Sequence, residues 1–391
     1  MTAADSVDTV DVVVVGAGIA GASAAAELSA TRSVVLIERE LLPAQHASGR
    51  SASVLSETSG HPVVCALTRL SRPLFESPRP GFVDHPLLQP RGLIWVGEAD
   101  DVALLDALAH RAARVAPTSR RLTAEEVHEH LPSFAATAIA GGGVHEPDAM
   151  AIDAAALIDG YLRVLRSNGG RLAIGSEAVV LDRNGDQWMV ATPAGRWRAP
   201  RVVDAAGAWA DVVAMRAGVT TLGLTAMRRT AAIVPAPDQV AGWPLVMDVA
   251  GRYYCEPETG GLLISPADET AVDPCDPQAD ELDVALALER VRDASGLPLR
   301  SVRRAWAGLR TFAPDRVPVL GEDPDAPGFW WLAGQGGAGI KTAPAMAQLL
   351  RLAIDGDAFG RDAAELGITA ETLGPARFRT HGSGRVRMSA T

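Results

Sequence analysis

The sequence predicts a mixed α/β chain, α+β overall, in which a βαβ unit near the N terminus shares the chain with a mixed or antiparallel, strand-rich unit. Three observations predict it. Asp11 to Val15 is a β-branched run of the kind that makes a strand buried on both faces, and it stops at Gly16-Ala17-Gly18-Ile19-Ala20-Gly21, which leads into the small helix-forming residues Ala22 to Leu28. A second apolar run, Val34 to Ile37, ends in Glu38, 22 residues after Gly16. Past residue 170, short strands punctuated by turns replace the helical spacing.

The elements follow in order. Val63, Leu67, Leu70 and Leu74 have helical spacing, with Pro73 expected to kink or end the helix. Thr123 and Glu126 form a capping-box pattern. Leu157, Ile158, Tyr161, Leu162 and Leu165 form one helix face, ended by Gly169-Gly170. Asn184-Gly185, between Ala178 to Leu181 and Trp188 to Ala191, predicts a hairpin. Further short strands are expected around Thr230 to Val234, Leu245 to Val249, Arg252 to Cys255 and Gly261 to Ser265. Arg201 to Asp211 is a strand entering a second small-residue turn at Gly207. Gly334, Gly336, Gly337 and Gly339 crowd a strand-to-helix junction, where backbone donors gain close access to a ligand.

Strand, glycine turn, helix and an acid closing the next strand together specify a Rossmann-like dinucleotide site. Gly16 allows the tight turn, Gly18 lets a pyrophosphate approach the backbone, and Gly21 permits close packing of helix on strand, with the phosphates at the helix N terminus. Glu38 would accept hydrogen bonds from the adenosine ribose. An acid there disfavours a 2′-phosphate, so NAD or FAD is expected over NADP.

Composition narrows the partners. The 391 residues are 48% apolar and 21% charged, with a formal charge of −11, a globular and acidic chain without the basic footprint of a nucleic-acid binder. Cys65, Cys255 and Cys275 are odd in number and lack metal or disulfide spacing, so neither a zinc site nor a disulfide framework is expected. Met1 to Thr9 is polar and acidic, and the apolar run Val12 to Ala26 is broken by glycines; no leader or membrane span is expected, which predicts a cytoplasmic protein. The basic tail Arg377 to Arg387 reads as a solvated terminus.

The segments GAGIAGAS at Gly16 to Ser23, IERE at Ile37 to Glu40, HASGRSAS at His46 to Ser53, FVDHPLLQPR at Phe82 to Arg91, DAAGAW at Asp204 to Trp209, WAGLR at Trp306 to Arg310 and GQGGAGI at Gly334 to Ile340 are collinear over nearly the whole chain. In this order they resemble the FAD-dependent D-amino-acid oxidase superfamily, which includes glycine and sarcosine oxidases, and within it the bacterial D-arginine dehydrogenases. The resemblance implies an FAD-binding domain from residues 1–90, 150–224 and 310–391, and an interleaved substrate domain from 91–149 and 225–309. It places Ala20, Glu38 and Arg39 at the adenosine half. Ser48, Gly49, Arg50, Ser51, Ala52 and Ser53 would run along the pyrophosphate, ribityl chain and flavin edge, and Ala178 would meet the adenine through its backbone. Gly336, Gly337, Ala338, Gly339, Ile340, Lys341 and Thr342 would close over the isoalloxazine.

For the substrate, the resemblance puts Arg310 and Tyr254 on an amino-acid carboxylate, with Arg229 as a third member; a guanidinium fork makes two charge-assisted bonds to such a group. His46 would lie beside the flavin, while His61, His85, His110, His128, His130, His145 and His381 are dispersed and expected to be structural or solvated. FAD is expected to be noncovalent. The D-arginine dehydrogenase pattern is not kept throughout. Leu93 stands where that group has a glutamate, Ser59 where it has a tyrosine, Val54 where it has a histidine, and Lys341 where it has a glutamine. With Leu245 and Met247 as further walls, these departures predict a preference for D-amino acids with neutral, apolar side chains, unless an acid such as Glu57 or Asp248 enters the pocket. Lys341 would stabilise negative charge on the flavin pyrimidine edge.

The expected activity is hydride transfer from the substrate Cα to flavin N5, giving an imino acid that hydrolyses to a 2-oxo acid and ammonia. No side chain stands out as the base. The sequence leaves the electron acceptor unnamed. Two rival readings are an oxygen-using oxidase of N-alkyl or secondary amines, and a flavin-binding subunit without turnover.

Overall fold

In the computed structural model, which describes residues 7–379, the βαβ unit seeds a six-stranded sheet. Val12–Val15 pairs in parallel with Val34–Ile37 on one side and Arg201–Asp204 on the other. Arg171–Ala173 extends the sheet at one edge, Phe329–Ala333 runs parallel to Arg201–Asp204, and Val319–Glu322 closes the other edge antiparallel. All four valines of the first strand are buried because alternate side chains enter two separate cores. Val12 and Val14 join Val34 and Leu36 against the helices Ile19–Leu28, Ala154–Ser167 and Gly339–Asp355. Val13 and Val15 join Val35, Ile37 and Val202 against Trp188, Trp197 and the helix Ala210–Arg216.

A ten-stranded mixed sheet carries the substrate side. Its central rows run from Arg304–Phe312 through Thr225–Val234, Gly261–Ser265, Tyr254–Glu258 and Leu245–Asp248 to Leu93–Gly97. One face sends Ala232, Ile264, Cys255, Val246 and Ile94 into a core capped by the helix Glu281–Ser295. Because side chains alternate along a strand, the neighbours of these residues, Tyr254, Leu263, Leu245 and Leu93, lie on the opposite face, which looks towards the glycine turns.

Several expectations need correction. The helix Pro62–Glu76 runs a turn past Pro73 and ends where Ser77 N–H bonds to the Pro73 carbonyl; proline removes the bond made by its own nitrogen but leaves its carbonyl available. Asn184 pairs with Gln187, so Gly185, at φ +65°, and Asp186 make the two-residue hairpin loop rather than Asn184-Gly185. The strand expected at Arg252 to Cys255 is Tyr254–Glu258, because Gly251 and Arg252 belong to a turn tied by Asp248. The capping box is present in both directions between Thr123 and Glu126. Residue 310, where the resemblance begins the last FAD-domain segment, falls inside the continuous strand Arg304–Phe312, and we propose that the junction follows Phe312. Residues 380–387 of the basic tail, and His381, lie outside the described residues. Among the described residues no helix is long and apolar enough to cross a membrane.

Candidate cofactor and substrate site

An elongated groove opens where the first strand ends. Gly16, at φ +97°, turns the chain there, and a Cβ on it would meet the Ala205 carbonyl at 2.7 Å. A Cβ on Gly21 would lie 1.8 Å from the Gly16 carbonyl oxygen, so this glycine shapes the turn by packing and does not line the groove. Glu38 does line it, and its carboxylate is already engaged. Oε2 accepts from the Ala17 amide at 2.6 Å and Oε1 from the Glu40 amide at 2.9 Å. Arg39 lies over the Trp209 ring at 4.4 Å, beside Ala178 and Gly207 on the same wall. Ser48 Oγ accepts from the Ile19 amide at 3.0 Å, holding the 46–53 segment against the helix start.

Three buried polar atoms on the walls of this groove and its inner end make no hydrogen bond among the described residues: His46 Nδ1, Gln335 Nε2 and Ser53 Oγ. Buried polar atoms are rarely left unpaired. With the glycine cradle and Glu38, they fit a long polar ligand that is phosphorylated at its middle, as FAD is. Gln335 was hidden to the sequence reading inside a glycine run. His46 lies in the outer groove against Trp209 and bonds Glu40, outside the inner pocket. None of the three cysteines lines either cavity.

Through Ser48, Leu309, Gly336 and Gly339 the groove continues to an inner pocket holding Arg310, Tyr254 and Arg229. Burial, with Arg229 adding repulsion, lowers the Arg310 guanidinium pKa to about 10. It makes no ion pair and no hydrogen bond among the described residues, whereas Arg229 donates to the Asp268 carbonyl at 2.6 Å and to Glu269 at 3.2 Å. Arg310 is therefore the cation with capacity to spare. A Cβ on Gly337 would lie 3.0 Å from its guanidinium, so the glycine is what lets Arg310 lie there.

Not every expected residue faces the cavity. Val54, Ser59, Leu245, Met247, Gly337, Ile340 and Lys341 line the inner pocket, together with Ser51, Ala52 and Ser53. Leu93 does not; it is fully buried in the sheet, beside Leu245 and opposite Glu146 in register. The Arg50 side chain points across to the Ala307 carbonyl and Asp276, tying two parts of the chain together. Gly49 backs onto the Ala44 carbonyl, Ala338 precedes the last long helix, and Thr342 is buried with its hydroxyl on the Ala338 carbonyl, so none of these three lines the groove. Lys341 uses Nζ on the Ser56 carbonyl, the Ser59 carbonyl and Ser59 Oγ at 2.9, 2.8 and 3.1 Å. All three donors of an ammonium are then occupied. These bonds leave no donor for a flavin oxygen, and burial holds its pKa below the ordinary lysine value.

The acids also differ from expectation. Glu57 is paired with Arg72 and Asp248 with Arg252, and neither lines the pocket. Glu256 does line it, at 5% exposure, with its pKa pushed up to about 7 by burial. The strand expected from the sequence stopped at Cys255; the observed strand continues to Glu258 and puts Glu256 on the same face as Tyr254. Two supports of the expected neutral-substrate preference, a wall at Leu93 and a pocket without acid, are thereby removed, while Val54, Leu245 and Met247 still line the pocket.

Residues 11–351 match the DAO family of FAD-dependent oxidoreductases. The chain is 28% identical over 366 residues to a glycine oxidase of Pseudomonas aeruginosa, covering 87% of this chain and 93% of that one. It is 28% identical to the tRNA 5-methylaminomethyl-2-thiouridine biosynthesis bifunctional protein MnmC of Burkholderia pseudomallei, over 95% of this chain and 60% of that protein's length. The crystal structure of glycine oxidase from Geobacillus kaustophilus shares the fold with a TM-score of 0.78 at 24% identity, over 96% of this chain and all of that one. A glycine turn answered by an acid, a groove ending at an arginine without a partner, and a match across most of the chain agree: this chain belongs to the DAO family of FAD-dependent oxidoreductases and binds FAD.

Proposed function

We propose that the protein is an FAD-dependent D-amino-acid dehydrogenase that oxidatively deaminates its substrate. The observation that carries this reading is Arg310, a pocket cation with neither ion pair nor hydrogen bond among the described residues, at the inner end of the dinucleotide groove. A carboxylate satisfies it bidentately, and Tyr254, whose hydroxyl has no partner among the described residues, supplies a second contact from a strand three places along the same sheet. Val54, Leu245 and Met247 exclude water around the substrate hydrocarbon. Clamping the carboxylate fixes the Cα–H direction, and positioning of this kind is the chain's main catalytic contribution. Bound FAD supplies the acceptor for the hydride that leaves Cα. The amine lone pair assists that departure, and the resulting imino acid reacts with water to a 2-oxo acid and ammonia.

FAD is held by contacts alone in this reading, so it leaves intact when the protein is denatured. The test of the function is anaerobic mixing of the holoenzyme with D- and L-amino acids while the flavin absorbance is followed. Bleaching by a D-amino acid supports the reading, and failure of every amino acid to bleach sinks it. The similarity to a glycine oxidase favours one rival, an oxygen-using amine oxidase; stoichiometric hydrogen peroxide with an N-alkyl amine would select it.

A further inference from the structure

The inner pocket is charged at two places in the sheet, not one. Arg310 pairs with Met227 in the register. Tyr254 pairs with Ser265, in the row that holds Ala231 and Met247. Glu256 pairs with Leu263, one row further on, next to Leu245. Arg310 and Glu256 thus stand on opposite sides of the Tyr254 row, with Glu256 about 7 Å beyond Tyr254 along the strand at two residues' rise. Between them the walls are Leu245 and Met247.

Glu256 is only partly satisfied by the protein. It forms a loose ion pair with Arg91, whose Nε stands 3.8 Å away, outside hydrogen-bond range, and is itself without a hydrogen bond among the described residues. No donor among the described residues bonds its carboxylate. A buried carboxylate without hydrogen bonds is costly, and a pocket with an acid that lacks hydrogen bonds, an apolar middle and an arginine that lacks a partner among the described residues is complementary to a molecule with the reverse pattern. We propose that Glu256 determines substrate specificity, binding a cationic group at the far end of the side chain of an amino acid whose carboxylate is held by Arg310. The substrate class is a basic amino acid, with an amino or guanidino terminus. This rests on the amino-acid reading above and reverses the side-chain preference that Leu93 suggested from sequence.

The experiment uses the holoenzyme and two ligands that have no α-amine and so are not deaminated at Cα: 5-aminopentanoate and pentanoate. Binding is measured by titration calorimetry and by perturbation of the flavin spectrum. A hydrogen-bonded charge is expected to make 5-aminopentanoate bind about tenfold or more tightly than pentanoate. Glu256→Gln abolishes that ratio while pentanoate affinity stays within about threefold, since removing one charge contact leaves the carboxylate end intact. In turnover, the ratio of kcat/KM for D-lysine over D-norleucine falls in Glu256→Gln, carried mainly by KM. Equal binding of the two ligands by the native protein overturns the proposal. So does an unchanged ratio in Glu256→Gln, or an equal loss for both ligands, which would mean that Glu256 only supports Arg91 or the fold. If neutral D-amino acids bleach the flavin and pentanoate binds, but the ammonium brings no gain, this inference falls and the oxidation reading stands. If neither carboxylate binds and no amino acid bleaches the flavin, both fall.

Discussion

The outer groove and the inner pocket are built by different means. The groove is made of backbone: Gly16 at a positive φ, Gly21 packed on the Gly16 carbonyl, and Glu38 bonded to the Ala17 and Glu40 amides. This first part of the groove, Gly16 to Glu40, is close in sequence, and its spacing is dictated by strand, turn and helix. The pocket is made of side chains from separate strands, Arg310, Arg229, Tyr254, Glu256 and Met247, whose meeting depends on the register of a ten-stranded sheet. A residue in such a sheet changes face with a shift of one position, so a pocket can be altered by small errors or substitutions that leave a groove untouched.

The largest expected effect tests the placement of Leu93, which shares a sheet face with Tyr254 and Leu245 but is buried away from the cavity. Glutamate there would not enter the substrate cavity. It would sit fully buried, opposite Glu146, whose carboxylate already accepts from Ser56, Thr58 and the Glu57 amide. Two buried carboxylates facing one another are strongly unfavourable, and Leu93→Glu is expected to yield little or no folded protein. Leu93→Ala, at a typical cost of about 2–5 kcal/mol, should lower Tm while leaving the substrate ranking unchanged. A folded Leu93→Glu enzyme that gains D-arginine activity would show that residue 93 reaches the pocket after all.

Next in size is Arg310→Met, which keeps most of the side-chain length and removes the charge. Losing one partner of a buried charged pair costs roughly 2–5 kcal/mol, and 1.36 kcal/mol is about tenfold in rate. Amino-acid turnover should fall by about two orders of magnitude or more, with FAD retained, because the groove does not depend on this side chain. Near-normal kcat/KM would move the carboxylate clamp elsewhere, and loss of FAD would erase the distinction between groove and pocket.

The same contrast explains what could be read from the sequence. Strand boundaries at Val34–Ile37 and Gly261–Ser265, the capping box at Thr123 and the glycine turn were legible because each is local. Arg310 and Tyr254 were reached through resemblance, and the structure brings them together. Glu256 was missed because its strand was ended at Cys255, and Leu93 was misplaced because a position beside a motif says nothing about how far along the sheet it lies from the cavity. Lys341 lines the pocket as expected, but the Ser56 to Ser59 segment that occupies its ammonium lies more than 280 residues away in sequence.

A pH experiment sharpens the view of the pocket with a smaller effect. Burial raises Glu256 from 4.5 to about 7, with Arg91 opposing and Glu258 reinforcing the shift. The folded state therefore holds this proton more tightly than the unfolded chain does. As pH rises from about 4.5 through about 7, the group's contribution becomes less favourable; on acidification the penalty is removed. At 1.36 kcal/mol per unit this is roughly 3.4 kcal/mol at most. Glu256→Gln should be more stable relative to the native protein at pH 8 than at pH 5, by denaturant unfolding in the same FAD concentration. A difference that does not change between these pH values would mean that the carboxylate is satisfied in the native state.

The smallest expected effect lies in the groove, at Glu38. Its carboxylate accepts two backbone amides in the absence of any ligand contact, so part of its work is to hold the turn that the cofactor then uses. Glu38→Ala leaves those amides to water and removes the acceptor for the ribose hydroxyls, which should weaken FAD about tenfold if one charge-assisted bond's worth of energy is lost. Glu38→Gln separates the two contributions. An amide oxygen can still accept from one backbone N–H, so the apoprotein Tm should recover more than the FAD affinity does. Equal recovery of both would make Glu38 a brace for the turn alone, and unchanged FAD affinity in Glu38→Ala would remove it from the cofactor site. In either variant the relative rates for D-lysine and D-norleucine at saturating FAD should match the native ratio, because nothing in the groove touches the side-chain end of the pocket. A changed ratio would show that the two regions are coupled.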